Sequence, residues 1–581
     1  MSDGPWWVRD PGRLEREETA LQAAGLTFNR DQAAFGRGVA RLRVTMPPPA
    51  AVVVTVTFPD AFPHFKPVVT GPDLGFGHHY NPTTGEYCLL EPGDWQPESG
   101  RLVDLLTTQW RKLTAADAGE GHDPATGELV EADQAEPVSM YMQTILGSHL
   151  LLDAAPNLPA DVDTGPAGVL LNAENPPRGF VWTFATADGR ELLGARPLFV
   201  GDLPGVPATW VRLREPLPAI GADDVWAAVQ RVAPMLDDGP WVPWPSGTAR
   251  GKAVPLTEHL QLVLVTFPEE VSRRQVGEGW IAVLRARPNM RKPPRRPQLV
   301  RVARAGRDDL QQRTPELRPM RDKTVLLVGG GGLGSALVLL LAQMCPGRLT
   351  LIDGDDVDAA TAVRFPSALR FAAVTKTEAL KQLVCETQPF TDTNDSMHLR
   401  LGTPRFDDRD PRNLHEEVLR RVADADLVVD TTADRGAQHY LSTLARDLGK
   451  AYLQAEATPG VWGGLVALHR PDGSACWMCL QHHLDHTIAP LPANTAPGVQ
   501  PPGCAQPTYT GTGFDLTTIA AHAARVAAAY LTGDNGYGSF DADVFTIALR
   551  DADGRAIPAA WTAHHIARHP DCRNHSTDDR A

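Results

Sequence analysis

The chain has 581 residues, of which 43% are hydrophobic and 22% charged, and it carries a formal net charge of −15. At roughly 100–200 residues per domain, this length predicts three or four domains with sizeable cores. The negative charge argues against nucleic acid and anionic membrane surfaces as partners. We find no signal-peptide core and no apolar stretch of about 18 residues, so we expect a cytoplasmic protein.

Residues 1–150 are predicted to form an α+β domain. Two runs rich in β-branched residues, GVARLRV and AVVVTVTF, precede the proline-rich FPDAFPHFKPVV and predict an antiparallel meander. Residues 151–300 contain further strand-like runs separated by prolines, and we expect a central α+β linker domain of unknown role. We interpret the basic segment at its end, RARPNMRKPPRRPQLVRVARAGR, as a solvated linker or as a surface that docks on acidic parts of the chain.

Residues 301–581 are predicted to form an α/β domain. The segment DKTVLLVGGGGLGSALVLLLAQMCPGRLTLIDGDD reads as strand, glycine loop, helix and strand, which is a right-handed parallel unit by default. A loop of this kind lets backbone amides and a helix dipole approach a phosphate. The loop alone leaves NAD and ATP open, because Asp353 at the end of the second strand suits a ribose hydroxyl in either nucleotide.

Two acidic residues and two cations follow the loop in a defined order. The candidate nucleotide residues are Gly329, Gly331, Gly332, Gly334, Ser335, Asp353, Asp355, Arg364 and Lys376. Their pattern resembles that of the ThiF/MoeB/ubiquitin-activating family, with Thr361 where the family usually has Asn. The resemblance implies a homodimeric adenylation domain that binds ATP with Mg²⁺, places Asp434 near the metal or triphosphate, and uses the two cations to neutralise charge as pyrophosphate leaves.

Two pairs of metal-ligand residues lie about a hundred residues apart in the same domain. Cys476 and Cys479 form one CxxC pair, and Cys572 and His575 form a second pair with the same spacing. Four ligands of this kind predict a closed, tetrahedral and therefore structural Zn²⁺ site. His569 is the alternative fourth ligand, and the activating enzymes that the domain resembles commonly hold such a zinc with four cysteines.

Cys504 is a candidate reactive thiol. It lies in the Pro/Gly-rich segment APGVQPPGCAQPTYTGTG, which predicts an exposed loop. An exposed thiol near a bound acyl-adenylate could attack it. The resemblance to activating enzymes implies the same role, because their catalytic cysteine follows the first CxxC in a crossover loop. We interpret Cys345 and Cys385 as small hydrophobic residues.

Cys88 is the second candidate thiol. The string FPDAFPHFKPVV is followed by His79-Tyr80-Asn81, by GEYCL containing Cys88, and by WQP, an order that resembles ubiquitin-conjugating enzymes. The resemblance implies that Cys88 is the conjugating cysteine and places His79 and Asn81 in the catalytic set. Asn81 would hold the active-site loop or the oxyanion, although Tyr80 replaces the usual Pro and the spacing to Cys88 is one residue short.

The two resemblances together predict a multidomain α/β and α+β protein with a ubiquitin-conjugating-like domain, a linker domain and a Rossmann-like ThiF-type adenylation domain. They imply that a protein's C-terminal carboxylate is adenylated, captured on Cys504, passed to Cys88 and joined to a target lysine. Fusions of this order are similar to enzymes of bacterial CBASS antiphage operons, where the donor is a nucleotide cyclase. A ubiquitin-like protein is the other donor considered. The alternatives are a sulfur-carrier adenylyltransferase acting in sulfur transfer and a non-catalytic nucleotide-binding scaffold.

Overall fold

The structure is a computed structural model in which the chain divides into two compact units, with the boundary along the chain between Arg304 and Ala305. None of the described helices combines the length and the hydropathy that a bilayer crossing requires. The structure describes residues 4–47, 51–76, 79–117, 135–152, 156–172, 176–194, 203–217, 220–244, 248–249, 252–253, 258–272, 275–402, 414–471, 475–496, 498–500 and 510–575.

Within the first unit, the segment before residue 118, called the N-terminal domain, contains a six-stranded antiparallel sheet in the order β1-β2-β3-β4-β6-β5. Inward-facing residues alternate with outward-facing ones along β2 and β3, which confirms the predicted meander. The strands are β1 (Thr27–Arg30), β2 (Arg41–Thr45), β3 (Val53–Thr57), β4 (Val68–Thr70), β5 (Tyr80–Asn81) and β6 (Glu86–Tyr87). The helices are α1 (Trp6–Arg9), α2 (Pro11–Ala23), α3 (Gln32–Gly36), α4 (Leu102–Asp104) and α5 (Trp110–Asp117), and a π-helical segment, Leu105–Gln109, joins the last two.

The rest of the first unit, called the central domain, contains a nine-stranded mixed sheet, whose long strands β15 and β16 form a hairpin. Apolar clusters cover both faces of this sheet, and the helix α6 (Ala222–Val232) packs on one of them. The strands are β7 (Thr144–Leu152), β8 (Thr164–Asn172), β9 (Arg178–Ala185), β10 (Glu191–Gly194), β11 (Gly205–Arg212), β12 (Val242–Pro243), β13 (Thr248–Ala249), β14 (Lys252–Ala253), β15 (His259–Ser272), β16 (Gln275–Arg287) and β17 (Gln298–Arg304), of which β13 and β14 form a separate pair.

The interpretation of the basic segment as a solvated linker is wrong. Its last part is the strand β17, which lies between β16 and β7 in the central sheet. Leu299 and Val300 are each 1% exposed, because they fill the apolar layers on opposite faces of that sheet. At the start of the segment Arg285 is also buried, and its guanidinium lies 4.1 Å from the ring centroid of Trp226. The run of positive charge concealed a strand because Arg301 and Arg304 interrupt its apolar residues.

The C-terminal domain contains an eight-stranded sheet in the order β20-β19-β18-β21-β22-β23-β24-β25, parallel through β22 and antiparallel beyond it. Helices cover both faces, as the predicted strand, loop, helix and strand require. The strands are β18 (Thr324–Val328), β19 (Arg348–Asp353), β20 (Met397–His398), β21 (Leu427–Asp430), β22 (Ala451–Ala457), β23 (Gly463–His469), β24 (Val544–Arg550) and β25 (Ala556–His564). The helices are α7 (Arg307–Leu310), α8 (Gly332–Gln343), α9 (Lys376–Thr387), α10 (Leu414–Asp424), α11 (Arg435–Asp447), α12 (Trp477–His486) and α13 (Gly513–Thr532).

Candidate functional site

The glycine loop joins β18 to α8 at the carboxyl edge of the parallel strands. Gly329 has φ +97°, and a Cβ there would lie 2.8 Å from the backbone nitrogen of Thr432. A Cβ at Gly334 would lie 1.9 Å from the carbonyl oxygen of Gly329. Both positions therefore require glycine for close backbone packing. Gly331, the N-cap of α8, differs because a Cβ there would have no atom within 4 Å, so the loop presents an open side at the helix N-terminus.

Asp353 fixes the loop from the end of β19. One carboxylate oxygen accepts a hydrogen bond from the Gly330 amide at 2.6 Å, and the other accepts one from the Asp355 amide at 2.8 Å. Each oxygen retains a second lone pair with which it could accept a ribose hydroxyl. Asp353 thus shapes the loop in addition to any role in nucleotide binding.

Asp355 holds two cations at the same edge. Lys376 Nζ lies 2.9 Å from one of its oxygens, and Arg400 Nη2 lies 2.7 Å from the other. Burial alone would raise the pKa of the Asp355 carboxyl, but the hydrogen bonds from both cations outweigh it and hold that pKa below its usual value. Lys376 is therefore paired with a carboxylate.

Arg364 and Asp434 border the loop from two sides. A Cβ at Gly332 would lie 3.2 Å from Cδ of Arg364, so the arginine stem covers the first turn of α8. Asp434 follows β21, is exposed, and caps α11 by accepting a hydrogen bond from the Ala437 amide at 2.8 Å. The predicted nucleotide residues are thus brought to one edge of one sheet.

Asp430 supports the loop that carries Asp434. It is 1% exposed and accepts hydrogen bonds from the Thr432 amide, the Thr432 hydroxyl and the Tyr452 hydroxyl. Burial raises the pKa of its carboxyl to about 6, against the opposing effect of these three donors. Thr431, the residue after Asp430, donates a hydrogen bond from its hydroxyl to the Gly329 carbonyl and so connects this loop to the glycine loop.

The four predicted metal ligands converge at the N-terminal end of α12. Cys476 Sγ lies 3.8 Å from Cys479 Sγ and 3.5 Å from Cys572 Sγ, and Cys479 Sγ lies 3.2 Å from His575 Nε2. All four ligand atoms lie within 4.8 Å of one another. Tetrahedral zinc with Zn–S bonds near 2.3 Å separates its sulfur ligands by about 3.8 Å. The residues present therefore fit a zinc ion.

The alternative ligand His569 has a different position. Its ring stacks on that of His482 at 4.6 Å, and its Nδ1 accepts a hydrogen bond from the Asp571 amide. Only its backbone amide reaches the site, where it donates to Cys479 Sγ at 3.3 Å. The contact between Cys476 Sγ and Cys479 Sγ lowers the pKa of the Cys476 thiol below its ordinary value. The geometry favours His575 as the fourth ligand.

Cys88 follows the β5–β6 hairpin of the N-terminal domain. It is exposed, and its amide donates to the His79 carbonyl at 2.8 Å. Partial burial of the sulfur, followed by the carboxylates of Glu136 and Glu86, raises the pKa of the thiol to about 11, while Lys66 opposes the rise. The thiol is therefore protonated at neutral pH.

Asn81 occupies the turn of the same hairpin. Its side-chain oxygen accepts hydrogen bonds from the amides of Thr83 at 2.9 Å and Thr84 at 3.1 Å. These contacts shape the loop between β5 and β6. They agree with the first of the two roles considered for Asn81, holding the active-site loop.

The remaining cysteines separate into two groups. Cys504 lies outside the residues that the structure describes. Cys345 is buried, with φ +58°, just after α8, and Cys385 is half-buried near the end of α9. The interpretation of these two as packing residues agrees with their positions.

Residues 302–573 match the ThiF family. The C-terminal part of the chain is a ThiF-family domain. Over 98% of its length, the chain is 28% identical to the uncharacterized protein y4oA of Sinorhizobium fredii, and the match covers 97% of that protein. It is 26% identical over 163 residues to ubiquitin-like modifier-activating enzyme 5 of Xenopus laevis, covering 28% of this chain and 40% of that protein. It is 28% identical over 163 residues to adenylyltransferase and sulfurtransferase UBA4 of Candida glabrata, covering 28% and 34%.

Three residues around the sites were missed by the sequence analysis. Arg400 reaches Asp355 of the ThiF domain from the segment after β20, and no motif spacing marks it. Glu136 and Tyr141 lie beside Cys88 although they are about fifty residues away in sequence. Nothing in the sequence around Glu136 indicates that its partner is Cys88.

Proposed function

We propose that the ThiF domain activates the C-terminal carboxylate of a protein with ATP. The observation that carries the proposal is the family match together with the glycine loop, Asp353, Asp355, Arg364 and Lys376 at one sheet edge. The open side at Gly331 would receive phosphate, and the Asp353 carboxylate a ribose hydroxyl. The donor carboxylate attacks the α-phosphorus, which gives an acyl-adenylate and pyrophosphate.

The cations and carboxylates would have different roles in that step. Arg364 and Lys376 would stabilise the negative charge that develops as pyrophosphate leaves. Lys376 must exchange its contact with Asp355 for one with phosphate, and Arg400 remains to pair with that carboxylate. Asp355 and Asp434 are the acidic groups suited to hold Mg²⁺, which supplies further charge neutralisation.

In this proposal the activated acyl group then passes between two thiols. Cys504 takes it from the adenylate as a thioester, Cys88 receives it by transthiolation, and a lysine of the target protein completes an amide bond. Each thioester retains the activation that ATP supplied. Support for the second carrier comes from the resemblance of the first domain to ubiquitin-conjugating enzymes and from the exposed position of Cys88 after a hairpin.

The proposed setting is bacterial antiphage defence, with a nucleotide cyclase or a ubiquitin-like protein as donor and a homodimeric chain as the working form. This proposal rests on the resemblance of the fused domain order to CBASS enzymes. A structural zinc at Cys476, Cys479, Cys572 and His575 would hold the C-terminal segment against α12.

Pyrophosphate exchange into ATP tests the activation step. The full chain is incubated with Mg-ATP, labelled pyrophosphate and, one at a time, the proteins encoded beside its gene. We expect exchange with one donor, lost when the last residues of that donor are removed. Lys376→Ala abolishes exchange, whereas Lys381→Ala on the same helix, where Lys381 pairs with Glu378 at 3.0 Å, preserves it. Exchange that persists in Lys376→Ala or with a truncated donor contradicts the proposal.

Sulfur transfer is the second candidate function. It is supported by the similarity to the adenylyltransferase and sulfurtransferase UBA4. In that case an external sulfur donor converts Cys504 to a persulfide, whose outer sulfur displaces AMP from the acyl-adenylate to give an acyl disulfide. An external thiol then reduces this disulfide and releases the donor protein as a thiocarboxylate, and no amide-linked product forms. Analysis of the products by mass spectrometry after exchange is detected separates the two functions.

A further inference from the structure

A short segment of the chain holds a carboxylate against the Cys88 site. Glu136 has a side chain only 6% exposed. One of its oxygens accepts a hydrogen bond from the His79 amide at 2.7 Å, and the other accepts one from the Tyr141 hydroxyl at 2.8 Å. Glu136 is also the carboxylate with the strongest effect on the Cys88 thiol, so it lies near the sulfur.

The central domain holds this segment in place. Glu270, near the tip of the β15–β16 hairpin, accepts a hydrogen bond from the Glu136 amide at 3.0 Å. Glu269 accepts two from Ser139, at 2.9 Å from the amide and 3.0 Å from the hydroxyl. The hairpin thereby fixes both ends of the turn that carries Glu136, which gives the central domain a role at the Cys88 site.

The carboxylate of Glu136 contacts His79. Tyr80 pairs with Tyr87 across the β5–β6 hairpin, so His79 and Cys88 are the next residues opposite each other. His79 has φ +61°, which is uncommon for a residue with a side chain, and hydrogen bonds on both its carbonyl and its amide fix it there. Its Nδ1 lies 3.6 Å from Glu136 Oε1, a distance that forms an ion pair once the imidazole is protonated.

We propose that His79 moves the proton when an amine displaces an acyl group from Cys88, and that Glu136 is the positioning residue that orients and stabilises its imidazolium. This inference rests on the proposed function. The order of nucleophile, base and orienting carboxylate is that of other thiol-dependent acyl-transfer sites. In this proposal the β15–β16 hairpin of the central domain holds Glu136 beside His79 and Cys88.

The proton balance of the step is complete without a further reactant. The amine nitrogen attacks the thioester carbonyl carbon, a C–N bond forms, and the C–S bond breaks. The imidazole takes the proton that the nitrogen loses and returns it to the departing sulfur, which leaves as the Cys88 thiol. Because the free thiol has a pKa of about 11, its thiolate is a poor leaving group and benefits from this proton.

Other charged groups also affect the Cys88 thiol, and their effect must be distinguished from proton transfer by His79. The charged or titratable side chains around Cys88 are Glu136, Glu86, Lys66, Glu91 and Tyr141. Neutralising any of the carboxylates lowers the pKa of the thiol and, by charge alone, makes it a better leaving group. Charge alone and the proposed role therefore predict opposite effects of Glu136→Gln.

The test uses the full chain with Cys504→Ala, loaded on Cys88 from a synthetic peptide thioester, so no ATP is required. Peptide mapping assigns the acyl group to Cys88, and transfer to free lysine is followed by intact mass from pH 6 to 9. We expect His79→Gln to slow transfer about 100-fold at pH 7.5 and Glu136→Gln to slow it about tenfold or more. The pH profile of transfer should change in Glu136→Gln and not in Glu91→Gln, because only the first substitution removes the contact between the carboxylate and the imidazole.

Glu91→Gln is the matched control, because Glu91 also raises the pKa of the Cys88 thiol. It should transfer at the wild-type rate or slightly faster. Partial recovery of His79→Gly by added imidazole supports the proton-transfer role and does not depend on how well the Glu136 variant folds. Transfer by Glu136→Gln at or above the wild-type rate, or a His79→Gly rate that imidazole does not change, overturns the inference. Failure of ATP activation overturns the proposed function and leaves this test intact.

Discussion

Two alanine substitutions in the glycine loop separate its packing from its proposed contact with nucleotide. In Gly334→Ala the new Cβ would lie 1.9 Å from the Gly329 carbonyl oxygen and 2.5 Å from the Thr431 hydroxyl oxygen, well inside the 3.0 Å that real contacts respect. Relieving this overlap costs about 1–3 kcal/mol, and disturbing the hydrogen bond between those two oxygens adds about 1 kcal/mol. The better helix propensity of alanine returns about 1 kcal/mol. We expect a net loss of about 2 kcal/mol in the free energy of unfolding.

Gly331→Ala should behave differently because its Cβ enters open space. As an N-cap substitution it costs at most about 1 kcal/mol of stability, yet it places a methyl group where phosphate would approach. Urea unfolding followed by circular dichroism measures the first effect, and calorimetric titration with Mg-ATP measures the second. We expect ATP affinity to fall about tenfold or more in Gly331→Ala. Wild-type ATP affinity in that variant, or wild-type stability in Gly334→Ala, refutes this account of the loop.

Three further predictions concern single side chains. At pH 8, Cys88 should react with iodoacetamide about 100 times more slowly than an unperturbed cysteine, because a pKa of about 11 in place of 9.0 leaves about a hundredfold less thiolate; an equal rate contradicts the assigned environment. Burial raises the folded-state pKa of Asp430 to about 6, so the contribution of this carboxyl to stability is fully present below pH 4 and is lost as pH rises through 6. Urea unfolding should therefore show Asp430→Asn to be more stable than the wild type at pH 8, by up to about 3 kcal/mol in the free energy of unfolding, and equally stable at pH 4. We expect elemental analysis to find zinc in the wild type and in His569→Ala but not in His575→Ala, and the reverse result for the two variants would make His569 the ligand.

The sequence predicted the elements whose signals are local. The β2–β3 meander, the strand, loop and helix at β18 and α8, and the long helix α13 all follow from periodicity or from glycine placement. The convergence of Cys476, Cys479, Cys572 and His575 was also predictable, because paired ligands with a fixed spacing are a specific signal even when the pairs lie about a hundred residues apart.

Contacts between distant segments could not be predicted in the same way. Glu136 reaches Cys88 only because the β15–β16 hairpin holds its segment there, and that contact spans 134 residues between Glu136 and Glu270. Arg400 meets Asp355 because β20 lies beside β19 in the sheet, a neighbour relation that no periodicity encodes. The basic segment was misjudged because its local signal is charge, whereas pairing with β16 and β7 makes its last part a strand. Long-range pairing, rather than local propensity, determined each of these features.

The central claim is that ATP drives an acyl group onto two thiols of this chain, and intact mass spectrometry tests it most directly. The purified chain is incubated with Mg-ATP and a donor that supports pyrophosphate exchange, then analysed with and without reducing agent. We expect an adduct of the donor's mass that reducing agent removes, that is lost in Cys504→Ala, and that reaches the N-terminal domain only when Cys88 is present. Consumption of ATP with no adduct on either cysteine would contradict the account.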